Sequence, residues 1–219
     1  MSLSVDYMNK LKPEQFLTGP QAGWSYHRGR WSAPYEGIRT VERERGPFGL
    51  WVGQHFSDGC IEAKVVPKIA CESVSIFICG SATNDELRGY EFAFEPREQR
   101  IVLRRHGMNL TTLAEARDSI PSGRALPVKI DATGSRLRLW MGESVDPAID
   151  VTDGEPILAP GHAGIRAWGA PVSIDDLAIC VRGQPPVAVR DAAGDSSEQR
   201  GLQALCLLLL NLNEVVYID

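Results

Sequence analysis

The sequence predicts an all-β chain folded as a sandwich of two antiparallel sheets, and three observations predict it. Glycine and proline recur at short intervals from Gly19 to Gly183, and the segments between them are rich in Val, Ile, Phe, Trp and Leu, which is the pattern of short strands joined by turns. No segment before residue 196 has helical periodicity. Two neighbouring pairs of segments alternate apolar and charged residues in a register that buries one face and solvates the other. With 219 residues, 43% of them hydrophobic and 23% charged, the chain suits one all-β domain with a tail.

Taken in order, the expected strands cover about 28–33, 36–42, 48–54, 58–66, 73–80, 88–95, 99–106, 110–116, 126–132, 135–141, 162–168 and 172–181. The first legible hairpin joins residues 89–95 to 100–105 across Pro96–Gln99. Setting Glu95 opposite Arg100 puts Phe94 opposite Ile101, Phe92 opposite Leu103 and Glu91 opposite Arg104. One face is then apolar and the other carries two opposite-charge pairs. The second hairpin is expected to turn at Thr133-Gly134. That register faces Ile130 with Leu137 and Val128 with Leu139 on the core side, and Asp131 with Arg136 and Lys129 with Arg138 on the polar side. Trp140 shares the polar side. Two such sheets packed face to face make a sandwich.

After Val181 the composition changes. Residues 183–200 are rich in Pro, Gly, Ala, Ser and charge and read as a linker. Residues 202–210 are apolar almost all round, with Leu and Ala as strong helix formers, so a short C-terminal helix covered by protein is expected. The organisation is then a lead-in over 1–23, the sandwich over 24–182, the linker, and an apolar helix and tail over 201–219. The tail is expected to dock on the sandwich, on a second copy or on a neighbouring domain.

The net charge of −5, with both signs interspersed, lacks the basic footprint of a nucleic-acid binder and argues against anionic membrane surfaces. The N-terminal residues have no apolar run of the signal-peptide kind. The apolar run Ala204–Leu210 is far shorter than the roughly 20 residues a membrane span needs. Five cysteines, Cys60, Cys71, Cys79, Cys180 and Cys206, match no zinc spacing. Cys60, Cys79 and Cys180 lie in apolar strand-like stretches and are expected to be buried thiols; one disulfide is also compatible with the count.

Several pieces carry a family resemblance: Gly29-Arg30-Trp31-Ser32, Phe56-Ser57-Asp58-Gly59, Gly89-Tyr90-Glu91, Leu103-Arg104-Arg105-His106, Leu137-Arg138-Leu139-Trp140 and the run from Gly161 to Trp168. In order and spacing, the chain from about Trp31 to Ile179 resembles the concanavalin A-like, laminin-G-like jelly-roll domains of large planctomycete-type proteins that also carry cytochrome c-like segments. It is similar in outline to the sandwich family of 3-keto-disaccharide hydrolases. The tail, with Leu205-Cys206, Leu209-Leu210-Asn211, Asn213-Glu214, Tyr217 and Asp219, resembles the C-terminal end of a neighbouring domain in those proteins. The resemblance implies a concanavalin A-like jelly roll in an exported or periplasmic, polysaccharide-related setting, as part of a larger assembly.

Sugar-binding sandwiches use aromatic faces for stacking and planar polar groups for hydroxyls. The candidate ligand-binding residues are therefore Glu91, Arg104, Trp140, Arg166 and Trp168. Trp140 shares a strand face with charged groups, and Trp168 lies two residues after Arg166. Glu91, Arg104 and Arg166 are expected to share one groove with Trp140 or Trp168 at its wall. The competing reading of these tryptophans is that they cover the sheet, and of Glu91 with Arg104 that they form a surface ion pair. Trp31 and Trp51 are expected in the core, and His106 reads as a structural or exposed histidine.

The first functional expectation is a non-catalytic binding or interaction domain for carbohydrate. The alternatives are a glycoside-processing hydrolase using Glu91 and a structural docking module. The Glu-x-Asp-x-x-Glu strand motif of sandwich glucanases is absent. Glu91 and Glu95 are about 13 Å apart along one strand face, too far to serve as the usual carboxylate pair. Glu91 beside Arg104 is expected to stay ionised, which favours binding over acid catalysis. No cofactor is expected. Asp146, Asp150 and Asp153 cluster before Gly154 and could supply oxygen ligands to calcium, although their spacing matches no EF-hand loop.

Overall fold

The structure is a computed structural model that describes residues 23–27, 31–32, 38–40, 45–67, 71–83, 86–169, 172–184 and 187–188. Among these residues every regular element is a strand: β1 Trp24–His27, β2 Trp31–Ser32, β3 Ile38–Thr40, β4 Arg45–Phe56, β5 Gly59–Val66, β6 Ser73–Thr83, β7 Glu86–Glu95, β8 Arg100–His106, β9 Leu110–Arg117, β10 Leu126–Thr133, β11 Arg136–Met141, β12 Ile149–Thr152, β13 Gly161–Trp168, β14 Ser173–Val181 and β15 Val187–Ala188. The strands form two antiparallel sheets. One has seven strands in the order β1-β4-β13-β6-β7-β8-β9. The other has eight, in the order β12-β11-β10-β5-β14-β3-β2 with β15 paired to β14. Neighbours in space are thus often distant in sequence, as in a jelly roll.

The alternation in each strand sends one set of side chains between the sheets. From the seven-stranded sheet come Trp24, Ile76, Phe92, Phe94, Ile101, Leu103 and Ile165; from the eight-stranded sheet come Ile61, Val65, Ile130, Leu137, Leu139 and Ile179, all in one buried cluster. Each such side chain contributes roughly 1.5–3 kcal/mol when fully buried. No metal or disulfide is needed to hold a core of this extent.

One end of the sandwich is tied by polar groups. Tyr90 on β7 donates a 2.8 Å hydrogen bond to Asp153, and Arg105, its cross-strand partner on β8, holds the same carboxylate at 2.7 Å. The Tyr90 hydroxyl also accepts from the Ile157 amide, and Arg105 reaches Glu155. The segment between β12 and β13 is thereby clasped to the opposite sheet. Burial pushes the Asp153 carboxyl up, but the Glu155 amide, Tyr90 and Arg105 outweigh it and hold the group below its ordinary value.

The first hairpin has the expected register, with Glu95 opposite Arg100, Phe92 opposite Leu103 and Glu91 opposite Arg104. The second is corrected by two residues. Thr133 pairs with Arg136, Asp131 with Arg138, Ile130 with Leu139 and Lys129 with Trp140. The turn occupies Gly134 and Ser135, because Gly134 takes a positive φ of 58° that suits the first place of a two-residue hairpin turn. A shift of two keeps every side chain on its own face, so the apolar and polar faces stand as expected while the partners change.

Three strands escaped the sequence reading. β1 begins at Trp24, ahead of the strand expected at 28–33. β12 lies in the acidic stretch where no strand was expected, with Ile149 in the core and Asp150 paired to Arg136. β15 lies inside the stretch read as linker. Trp51 is only partly buried and meets Trp24 edge-on at 5.8 Å. Cys71 and Cys79 are buried free thiols, whereas Cys60 and Cys180 are only partly buried. That corrects the expectation for the latter pair, which sit on the outer face of the eight-stranded sheet. The expected helix at 202–210, Cys206, the side chain of Trp31 and the lead-in before Gly23 lie outside the described residues.

Candidate ligand-binding groove

Direct cross-strand neighbours share a face, so the register fixes what the outer side of the seven-stranded sheet presents. Phe77 on β6, Glu91 on β7 and Arg104 on β8 form one row. Arg166 on β13 and Ser75 on β6 begin the next, which continues through Ala93 and Val102. Trp168 and Ser73 begin a third, with Arg100 opposite Glu95 further along the sheet. These rows enclose a groove of about 730 Å³ whose lining includes Glu91, Glu95, Arg100, Arg104, His106, Leu110, Arg166 and Trp168. A volume of this size is ordinary for a ligand site.

Glu91 organises the floor. It is 3% exposed, and both carboxylate oxygens are engaged. Ser75 Oγ donates to Oε1 at 2.9 Å, His106 Nε2 lies 2.8 Å from Oε2, and the guanidinium groups of Arg166 and Arg104 each approach to 3.6 Å. An ionised carboxylate only accepts, so the facing His106 nitrogen carries the proton. Burial pushes the Glu91 carboxyl up, but the His106 hydrogen bond and the charges of Arg166, His106 and Arg104 outweigh it and hold the group below the usual carboxylate range. The low value expected from Arg104 alone thus has more contributors than the sequence indicated, and His106 and Arg166 rank ahead of Arg104.

The network extends along β7 and β8. Glu95, also buried, accepts from Arg100 Nε at 2.7 Å and from Arg104. Arg104 therefore bridges Glu91 and Glu95. The His106 ring packs edge-on to Phe77 at 5.5 Å. At the other side of the groove the Arg166 guanidinium stacks over the Trp168 ring, 4.7 Å from its centroid, a cation–π contact that fixes both groups. Gly46 on β4 makes room for them. A Cβ there would fall 3.0 Å from the Trp168 ring and 3.2 Å from Arg166, and its φ of 85° is one that other residues avoid.

The structure therefore brings Glu91, Arg104, Arg166 and Trp168 together and leaves Trp140 apart. Trp140 lies on β11 in the other sheet, where it donates from Nε1 to the Val145 carbonyl at 3.1 Å and carries Arg138 over its ring at 5.1 Å. Strand alternation assigns a side chain to a face of its own sheet and says nothing about which of two sheets that is. His106, Glu95 and Arg100 are among the lining residues absent from the candidate set, and Ser75 supports Glu91 without lining the groove. For His106 the signal was present: it shares the parity of Arg104 and stands opposite Gly89, diagonal to Glu91.

The acidic stretch considered for calcium is dispersed. Asp150 is held by both arms of Arg136, Asp153 belongs to the clasp with Tyr90 and Arg105, and Asp146 is exposed. Among the described residues no cluster of three His, Cys, Asp or Glu is placed to hold a metal ion.

No protein-family model and no curated protein matches the chain. Solved structures do. The chain is similar to the carbohydrate-binding module CBM66 of Bacillus subtilis at 18% identity, over 73% of this chain and 96% of that one, with a TM-score of 0.62. It is also similar to a protein of unknown function with a galectin-like fold from Bacillus subtilis, at 16% identity over 73% and 90% of the two chains, with a TM-score of 0.59. A third likeness is to the exoplasmic/lumenal domain of VIP36 in its Ca2+/Man3GlcNAc-bound form, at 13% identity over 81% and 92%, with a TM-score of 0.56. At these identities the likeness is one of fold, and the fold is the lectin-type β-sandwich.

Proposed function

We propose that the chain is a carbohydrate-binding module of a larger exported assembly, and that its ligand lies in the groove on the outer face of the seven-stranded sheet. The observation that carries this reading is the buried Glu91 carboxylate holding Arg104, Arg166 and His106 at the floor of a groove walled by Trp168. Burying a carboxylate costs several kcal/mol unless its partners are well placed, so such a group is more telling than a surface ion pair. Its effect is to immobilise three hydrogen-bond donors beside an aromatic face. Preorganised planar donors next to an indole match the alternating hydroxyls and apolar C–H face of a sugar ring.

Glu91 itself works from behind. Its oxygens are committed within the protein, and its charge is held there, so it suits orientation of donors better than proton delivery to a leaving group. The groove lining includes four glutamates, Glu72, Glu91, Glu95 and Glu98, and four arginines, Arg97, Arg100, Arg104 and Arg166. This balance favours a neutral, hydroxyl-rich ligand over an anionic one. The lectin-like neighbours support the same class of ligand, since CBM66 is a carbohydrate-binding module and the VIP36 form carries Man3GlcNAc.

Calorimetry of the full chain against short oligomers of neutral hexoses and of hexuronates tests the proposal. A neutral oligomer is expected to bind, and Trp168→Ala is expected to weaken it by about tenfold, the scale of one aromatic contact. Failure of every oligomer to bind, or binding that Trp168→Ala leaves unchanged, would overturn it.

A further inference from the structure

The outer face of the eight-stranded sheet carries a second chemical feature, unrelated to the groove. Cys60 on β5 and Cys180 on β14 are direct cross-strand partners in the antiparallel pairing of these strands. They are more than a hundred residues apart in the sequence, yet they face each other on one side of the sheet, and both are partly accessible. Directly opposed residues of an antiparallel pair have Cα atoms about 4.5–5.5 Å apart. That lies inside the span of roughly 4.4–6.8 Å that a disulfide bridges. The Cα spacing of a cross-strand pair therefore lies within reach of a disulfide, and the closer, non-hydrogen-bonded type also approaches the Cβ spacing it needs.

From this register we infer that Cys60 and Cys180 form a dithiol site that closes to a reversible cross-strand disulfide. The pairing of β5 with β14 sets the two residues directly opposite each other. Burial, then the Cys180 hydrogen bond and charge, push Cys60 up to about 12. Cys60 is thus the partner that keeps its proton, which leaves the opening step to its neighbour. The exchange is balanced with a small-molecule disulfide as oxidant. The Cys180 thiolate attacks one sulfur of the oxidant, whose bond breaks, and one small thiolate leaves. Cys60 then loses its proton to solvent, its sulfur attacks the mixed disulfide at Cys180, and the second small thiolate leaves. The protein gives up two electrons and two protons, and the oxidant becomes two thiols.

The buried thiols are not equivalent. Cys79 is pushed up to about 11 by burial and then by Asp58, and its sulfur lies 3.6 Å from the Ser57 carbonyl. The cross-link would close a loop of more than a hundred residues between β5 and β14, a length for which the entropic restraint on the unfolded chain is large. It lies on the sheet opposite the groove, so ligand binding should be the same in both redox states.

The test uses the full chain treated with oxidised glutathione at mildly alkaline pH and compared with the dithiothreitol-reduced form. The expected product has lost two hydrogens by intact mass, and its non-reducing peptide map joins Cys60 to Cys180. Its melting temperature rises by on the order of 10 °C, and dithiothreitol reverses the change. Cys60→Ser and Cys180→Ser should each prevent the link, while Cys71→Ser leaves it intact. A stable glutathione adduct without closure, a link that maps to Cys206, or a link that persists in Cys180→Ser would each overturn the assignment.

Discussion

The two outer faces of the sandwich carry the same kinds of side chain and put them in different environments. On the eight-stranded sheet most of the pairs are solvated, Arg138 with Asp131 being the more covered one. Lys129 and Glu62, 3.0 Å apart, expose 50% and 54% of their side chains, and Arg136 with Asp150 is similar at 53% and 35%. On the seven-stranded sheet Glu91 exposes 4% of its side chain and Arg104 21%. Nothing in composition separates the two faces, since both alternate charge with apolar residues. The difference is depth. On the seven-stranded face Phe77, Ala93 and Val102 are buried beside the charges, so ions there lose water that ions on the other face retain. An exposed ion pair contributes about 0–1 kcal/mol, whereas removing one member of a buried pair costs about 3–5 kcal/mol. Both faces even carry the same short motif, Arg138-x-Trp140 on β11 and Arg166-x-Trp168 on β13, but only the second lines the groove.

The sharpest way to break this comparison is to remove Glu91. Glu91→Ala leaves Arg104, Arg166 and His106 facing one another without their common acceptor. It is expected to lower stability by about 3 kcal/mol in urea unfolding and to disorganise the groove. A loss below about 0.5 kcal/mol would place Glu91 among the ordinary surface pairs.

Next in size is Asp153→Ala at the end clasp, which strands the Tyr90 hydroxyl and Arg105. A cost of about 2 kcal/mol is expected, with no change in ligand affinity, because the clasp lies outside the groove.

Acid titration sharpens the comparison further. The folded-state values of Glu91 and Asp153 lie below their ordinary ones, so the unfolded chain binds protons more readily at these sites. Their contribution to stability is complete above the ordinary carboxylate range of about 4 and is lost as pH falls through the lower folded values. The unfolding free energy should therefore decline with a slope that flattens in Glu91→Gln. An acid limb identical in wild type and Glu91→Gln would remove Glu91 from the account.

The smallest effect belongs to the solvated face. Lys129→Ala or Arg136→Ala should change stability by less than about 0.5 kcal/mol, a result that the same urea series measures. A cost comparable to that of Glu91→Ala would erase the contrast between the faces.

The sequence disclosed the fold where local chemistry allowed one answer. In the β7–β8 hairpin a one-residue slip would bring Phe92 out and Glu91 in, and the Glu95–Arg100 pair anchors the four-residue connection, so the register was legible. In the β10–β11 hairpin a two-residue slip preserves both faces, and only the backbone preference of Gly134 decides the partners. Short edge strands such as β12 were hidden because Asp150 and Asp153 make the segment look like a solvated loop, yet Asp150 has Arg136 on the neighbouring strand and Asp153 has Arg105 on the opposite sheet. At the groove, Glu91, Arg104, Arg166 and Trp168 were legible as members of outward faces. That they share one sheet, and that Trp140 does not, depends on the long-range pairing of β13 with β6. Strand periodicity carries no information on that pairing. The partly buried Cys60–Cys180 pair was hidden for the same reason, because β5 and β14 meet only in the folded sheet.

The location of the ligand tests the central claim most directly. Indole N–H resonances of the tryptophans, assigned by single substitution, can be followed while a bound neutral oligosaccharide is titrated into the full chain. The Trp168 resonance is expected to shift with the binding isotherm while that of Trp140, on the opposite sheet, stays in place. A shift at Trp140 with Trp168 unmoved would put the ligand on the other face of the sandwich and contradict the account.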